Sequence, residues 1–139
     1  MEITASALQT VAAGQNVLFT ETPVAGSGCV VHRDGSGIVT LRGQTNQCRA
    51  RYRVSFGANI AVPAGGTVGP ISVAIAISGE PLAASTAIVT PTATAAFFNV
   101  ALDTFVEVPR GCCVTVAIEN TSDQAISVQN ANLIAERVA

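Results

Sequence analysis

The chain has no lysine and no tryptophan, and it has a single histidine and a single tyrosine. Without lysine there is no phosphate-loop ammonium, no Schiff base and no lysine general base. All seven basic residues are arginine and the net charge is −2, so there is no basic field for nucleic acid or an acidic membrane. No apolar run approaches the roughly 18 residues of a membrane span. The opening residues Met1-Glu2-Ile3-Thr4-Ala5-Ser6 lack the basic segment of a secretory leader. That absence points to a mature form, an excised piece, or a protein not exported by that route. The lack of tryptophan and an aromatic content of 4% argue against a strong sugar-stacking site.

Charge is scarce as well. Charged residues make up 12% of the 139 and hydrophobic residues 49%, whereas a well-behaved monomer surface is about 25–35% charged. Length favours one domain, 1–139, able to bury a real core. The shortfall in charge is clearest in Ile71-Ser72-Val73-Ala74-Ile75-Ala76-Ile77. Successive side chains of a strand point to opposite faces. Ile71, Val73, Ile75 and Ile77 form one apolar face, and the other carries only Ser72, Ala74 and Ala76. An exposed second face usually carries charge. From Phe97 to Val108, the set Phe98, Val100, Leu102, Val106 and Val108 reads as core, with Phe97, Ala101 and Phe105 opposite. Such second faces predict self-association, with the apolar side of one sheet buried between copies.

Strand signals dominate throughout. Alternating or β-rich runs fall at about 8–11, 16–20, 29–32, 37–42, 50–56, 58–62, 71–78, 86–90, 97–108, 112–119 and 126–137. Gly- and Pro-bearing turns separate them, among them Asp34-Gly35-Ser36-Gly37, Pro63-Ala64-Gly65-Gly66 and Gly79-Glu80-Pro81. Many short strands with such turns predict an all-β sandwich or barrel. The alanine-rich stretch from Leu82 to Ala96 reads as strand and loop. Val106 to Val116 reads as a hairpin around Pro109-Arg110-Gly111.

The order of elements resembles a known family. It runs from an N-terminal strand through Gly-Ser-Gly-Ile-Val-Thr-Leu to Ala50-Arg51-Tyr52-Arg53-Val54-Ser55-Phe56. Then come Ile71 to Ile77 with its Gly-Glu-Pro turn, the segment around Pro109-Arg110-Gly111, and the terminal run Ala131 to Val138. This is similar to the tumour-necrosis-factor-like jelly roll, the head also found on complement collagens. Within it, the chain resembles bacterial heads of collagen-like spore-surface (exosporium) proteins and their phage-encoded relatives. The resemblance implies an antiparallel two-sheet jelly roll of about ten strands, with first and last strands neighbours in the inner sheet. It also implies a compact homotrimer and a collagen-like stalk as partner, although the chain contains no Gly-X-Y run. Phe97 and Phe105 are then the large apolar residues expected near a three-fold axis. Leu133 joins them because the resemblance puts the terminal strand in the inner sheet.

Sites for chemistry are sparse. His32-Arg33-Asp34 echoes a kinase catalytic loop, but the lysine and the downstream asparagine are missing, so it reads as a strand entering a turn. A Ser-His-Asp triad would have to use His32 with Asp34 or Asp103, and no Gly-x-Ser-x-Gly elbow accompanies it. Four cysteines invite zinc, but Cys112-Cys113 is vicinal, where structural zinc wants a spacing of two to four. Cys29 and Cys48 flank the 37–42 strand and are the disulfide candidates. One of Cys112 and Cys113 reads as a small buried hydrophobe.

Arg49, Arg51 and Arg53 recur with period two and share a face. They are candidates for an anion site or for inter-subunit ion pairs with Glu107, Asp103 or Glu80, against the plain alternative of a solvated face. The nine acids are scattered and show no glycosidase pair. Asn120-Thr121-Ser122 is a glycosylation sequon. No catalytic residue, metal or cofactor is expected. The leading expectation is a non-catalytic trimerisation and display domain on a spore or virion surface. The alternative is a receptor- or glycan-binding head of a phage fibre or decoration protein. An enzyme on a β fold ranks below both.

Overall fold

The computed structural model describes residues 1–26, 28–43, 49–111 and 113–139, with the Arg49 side chain left aside. Eleven strands fall within the described residues: β1 (Glu2–Ala5), β2 (Gln9–Val11), β3 (Glu21–Val24), β4 (Val30–His32), β5 (Val39–Arg42), β6 (Arg49–Ala61), β7 (Ile71–Ile77), β8 (Glu80–Val89), β9 (Phe98–Pro109), β10 (Cys113–Asn120) and β11 (Ile126–Arg137). They make two antiparallel sheets. The first is ordered β3-β1-β11-β6-β9, with β2 also on β11, and the second β4-β5-β10-β7-β8. The chain crosses between sheets after β3, β5, β6, β8, β9 and β10, which is the winding of a jelly roll. The first and last strands are neighbours, with Ile3 opposite Leu133, as the resemblance implied. No described helix is long and apolar enough to cross a membrane.

The inner faces read directly from the alternation. On β6, Ala50, Tyr52, Val54, Phe56, Ala58 and Ile60 are all buried between the sheets. Phe19 meets the Phe56 ring edge-on, with centroids 6.3 Å apart. The runs expected at 50–56 and 58–62 are one strand. Gly57 does not interrupt it, because it sits opposite Ala101 and its missing Cβ would meet nothing closer than 4.0 Å. The 16–20 run is apolar for packing but forms no strand. Val17 and Phe19 are fully buried, yet beyond an Asn16–Glu119 bridge the segment is held by scattered bonds and not by a ladder, among them Val17 N–H to Ile118 O at 2.9 Å.

Three expectations are corrected. Val106 to Val116 is not a hairpin. β9 pairs with β6, whereas β10 pairs with β5 and β7 in the other sheet. Alternation tells which side of a strand is apolar, and both strands present that side to the core from opposite walls. Gly111, at φ +85°, makes the turn between the sheets. The second correction concerns β7, whose outer face is already covered within one chain. Ala74 is 0% and Ala76 2% exposed. Ala74 lies between Glu119 and Thr86 on flanking strands, both longer than the methyl they border. β8 also uses five residue steps, from Thr86 back to Pro81, against the two from Ala74 to Ala76. The third concerns Phe98, which faces inward at the strand end opposite Ile60 but remains exposed.

Candidate functional site

One end of the sandwich carries an open cavity of about 640 Å³. Two connections build it, 62–70 between β6 and β7 and 121–125 between β10 and β11. Asn120 anchors the second. It is fully buried, and its Nδ2 donates to Val11 O at 3.0 Å and Gln124 O at 2.9 Å. Its Oδ1 accepts from Ser122 N–H at 2.9 Å. Every polar atom of this buried amide is therefore satisfied, as burial requires. The same geometry removes the sequon, since both amide protons point into the protein.

Gln124 clasps the two connections together. Its Oε1 accepts from Thr67 N–H at 3.0 Å and its Nε2 donates to Thr67 O at 2.6 Å. Ser122 Oγ accepts from Ser72 N–H at 2.8 Å and donates to Ser72 O at 3.2 Å. The Ser72 and Thr121 hydroxyls share a bond of 2.7 Å. Gly66 permits the approach of the loops. A Cβ there would lie 2.8 Å from Val62 Cγ1 and 3.1 Å from Gln124 Oε1. Asp123 lies exposed on the cavity wall. The sequence marked Pro63 to Gly66 as a turn and Asn120 to Ser122 as a sequon. Nothing in it shows that the two meet.

The arginines lie elsewhere, on the outer face of the first sheet. Arg51 Nη2 donates to Glu107 at 3.0 Å, directly across the β6–β9 ladder. Arg53 sits opposite Phe105 and reaches diagonally to Asp103, with Nη2 to Oδ2 at 2.6 Å and Nε to both oxygens at 3.1 and 3.2 Å. Ser55 Oγ donates to the same carboxylate at 3.1 Å. The Arg53 guanidinium holds the Asp103 carboxyl below its ordinary range, chiefly through this hydrogen bond. Glu107 and Asp103 are two of the acids named for these arginines, and within one chain the register places Glu107 directly opposite Arg51 and Asp103 two residues beyond the Phe105 that faces Arg53. Glu80 lies in the other sheet. The Arg49 side chain lies outside the described residues.

Phe97 and Phe105 are 41% and 62% exposed. Leu133 is 1% exposed and packs in the core, so it offers nothing to a partner. On β11 the neighbouring Ile134 faces out instead, since a one-residue step changes the face. Cys48 and Cys112 lie outside the described residues, and the Cys29–Cys48 bridge with them. Cys29 packs partly against the core and Cys113 is exposed. Tyr52 Oη donates to Arg42 O at 2.7 Å, and Cys29 O lies 3.3 Å away. Burial, followed by the neighbouring Cys29, raises the Tyr52 phenol above its ordinary pKa.

His32 is structural. Its buried ring lies 2.9 Å from Ser36 O through Nε2, the nitrogen a triad would need for a serine hydroxyl. Its Nδ1 is 3.8 Å from Asp34. Among the described residues, no three His, Cys, Asp or Glu side chains gather to hold a metal. The domain is an all-β, two-sheet antiparallel sandwich.

No protein-family model matches the chain, and no curated protein matches its sequence. Solved structures do resemble it. The globular domain of zebrafish complement 1qA protein superposes with a TM-score of 0.53 at 12% identity, over 96% of this chain and 93% of that one. A structure described as the EclA C-terminal domain, a sugar-binding protein, gives 0.45 at 12% identity over 94% and 79%. A Podospora anserina GH26-CBM35 β-(1,4)-mannanase gives 0.38 at 16% identity over 99% and 28%. At such identities the likeness is one of fold. The fold is an all-β, two-sheet antiparallel jelly roll, similar to that of the complement 1qA globular domain.

Proposed function

We propose that this chain is a recognition head, a non-catalytic domain that binds a glycan or protein on a target surface from a displayed position on a particle such as a phage fibre or virion. The observation that supports the reading is the 640 Å³ cavity at the loop end. Its size suits a ligand site, and its two walls are tied by the Gln124–Thr67 and Ser122–Ser72 bonds. A rigid two-sheet scaffold carrying its variable chemistry on end loops is a common design for recognition. The test is a binding screen of the labelled chain on a glycan array and on intact bacterial cells. Reproducible retention by a defined subset supports the reading. Blank arrays together with no retention by any cell type reject it.

A second reading is favoured by Phe105. A phenylalanine 62% exposed on a sheet face, with Ile134 also outward on β11, suits burial against further copies. In that reading the head is a homotrimeric display domain of a spore or virion surface, with a collagen-like stalk as its partner. Phe105→Asp then lowers the mass seen by light scattering from trimer to monomer while the β signal persists. A parent chain that is already monomeric at micromolar concentration ends this reading.

A further inference from the structure

We infer that the loop-end cavity takes a neutral pyranose, held through two adjacent hydroxyls by the Asp123 carboxylate. The inference rests on the recognition-head reading and specifies its ligand.

The argument starts from what the cavity wall has left to offer. Gln124 spends one amide proton and one lone pair on the Thr67 backbone, and Ser122 Oγ spends its proton and one lone pair on the Ser72 backbone. These groups shape the site. Ser72 and Thr121 share one hydroxyl proton between them, which leaves the other proton and several lone pairs to face outward. Asp123 is the single charged side chain on the wall. The remaining side-chain chemistry is therefore rich in acceptors, with one negative charge, one mobile hydroxyl donor and the second amide proton of Gln124.

That inventory discriminates among ligands. An anion meets no cationic side chain there and is repelled by Asp123. A planar aromatic ligand finds no aromatic wall. A hard divalent cation wants six or more oxygens, commonly with several carboxylates, and the wall has one. An organic cation finds neither an aromatic cage nor a second acid. A sugar satisfies the set. Two neighbouring hydroxyls donate to the two oxygens of one carboxylate, in charge-assisted bonds stronger than neutral ones. A third hydroxyl exchanges bonds with the Ser72–Thr121 pair. Val68 and Pro70 supply the apolar wall for the C–H face of the ring.

The experiment is a backbone amide NMR titration of the full chain. The probes are methyl α-D-mannopyranoside, methyl β-D-galactopyranoside and xylobiose, with sodium glucuronate and calcium chloride as separate arms. The expected result is saturable shifts from a neutral sugar, centred on residues 67–72 and 121–124 and weaker with glucuronate. Asp123→Asn keeps the shape and removes the charge, and should weaken binding about tenfold. Asp34→Asn, on the β4–β5 turn, should bind like the parent. Sugar shifts elsewhere, or equal binding by Asp123→Asn, overturn the site while leaving a recognition head. Saturable shifts with calcium alone overturn the sugar in favour of a cation. No saturable shift from any of these probes overturns the inference, and the array and cell screen then decides separately whether the head reading stands.

Discussion

The two sheets turn very different outer faces to solvent. On the first, β6 and β9 carry Arg51 with Glu107, Arg53 with Asp103, and the exposed ring of Phe105 between them. On the second, β7 and β10 carry Ala74, Ala76 and Ala117, all buried by their own chain. The sequence looked short of charge on both. What differs is side-chain length in register. Ala74, flanked across the ladder by Glu119 and Thr86, is shielded without a partner, whereas Phe105 on the outer face of β9 stays 62% exposed. An apolar second face is thus no measure of stickiness until its neighbours across the ladder are known.

This comparison breaks most readily on the alanine side. Ala76→Asp places a carboxylate where a methyl is 2% exposed, and should lower stability by about 1–3 kcal/mol. Phe105→Asp, chemically the larger change, should leave the stability of the isolated domain within about 0.5 kcal/mol. Chemical denaturation of both variants in the monomeric state reads the difference. Equal losses would mean that burial in the single chain does not separate the faces.

A middle-sized effect tests the inner side of the strand that bears the arginines. Tyr52→Phe removes the donor to Arg42 O, and should cost about 0.5–1.5 kcal/mol. The parent carries its own readout, because Tyr52 is the only tyrosine. Its folded pKa is raised, so the contribution is complete below the unfolded value near 10 and is lost as pH rises from there through the folded value. Phenolate absorbance should therefore appear later than in a tyrosine peptide, and together with unfolding. Ionisation at the peptide's pH in a folded chain contradicts that burial.

The smallest effect belongs to the charged pairs. Asp103 has a depressed folded pKa, so its contribution is present above the unfolded value near 4 and fades as pH falls through the folded value. Both partners are about half exposed, so solvent screens the pair and its contribution is small. Asp103→Asn should show a slightly lower melting temperature at pH 6 than the parent, and the gap should close towards pH 2. A gap that persists in acid would give Asp103 a role other than its ion pair.

Much of the sandwich was legible from alternation alone, because a strand with one buried face has a period of two whatever it packs against. β6, β7, β9, β10 and β11 all lie where the pattern put them, within a few residues. β1 and β3 were faint as periodic runs. β1 has only Ile3 and Ala5 as buried residues, and β3 has none. The segment around Val17 and Phe19 misled in the other direction, since burial without a ladder has the same signature. Of the sites, the arginine face was legible as a stripe, with an anion site, inter-subunit pairs and a solvated face left open, and the register supplies pairs to Glu107 and Asp103 within one chain.

The order of apolar and polar residues by itself determined that this chain is all-β, that it has one core, and which side chains of each strand enter it. Those are local properties, fixed by the pleat and by the free energy of burying apolar surface. Tertiary structure alone decided that β9 and β10 belong to different sheets, that Arg53 reaches Asp103 across the ladder, and that Thr67 meets Gln124 at the cavity. The last two join residues 50 and 57 positions apart. Such contacts depend on sheet order and register, and neither leaves a mark on the periodicity of a single strand.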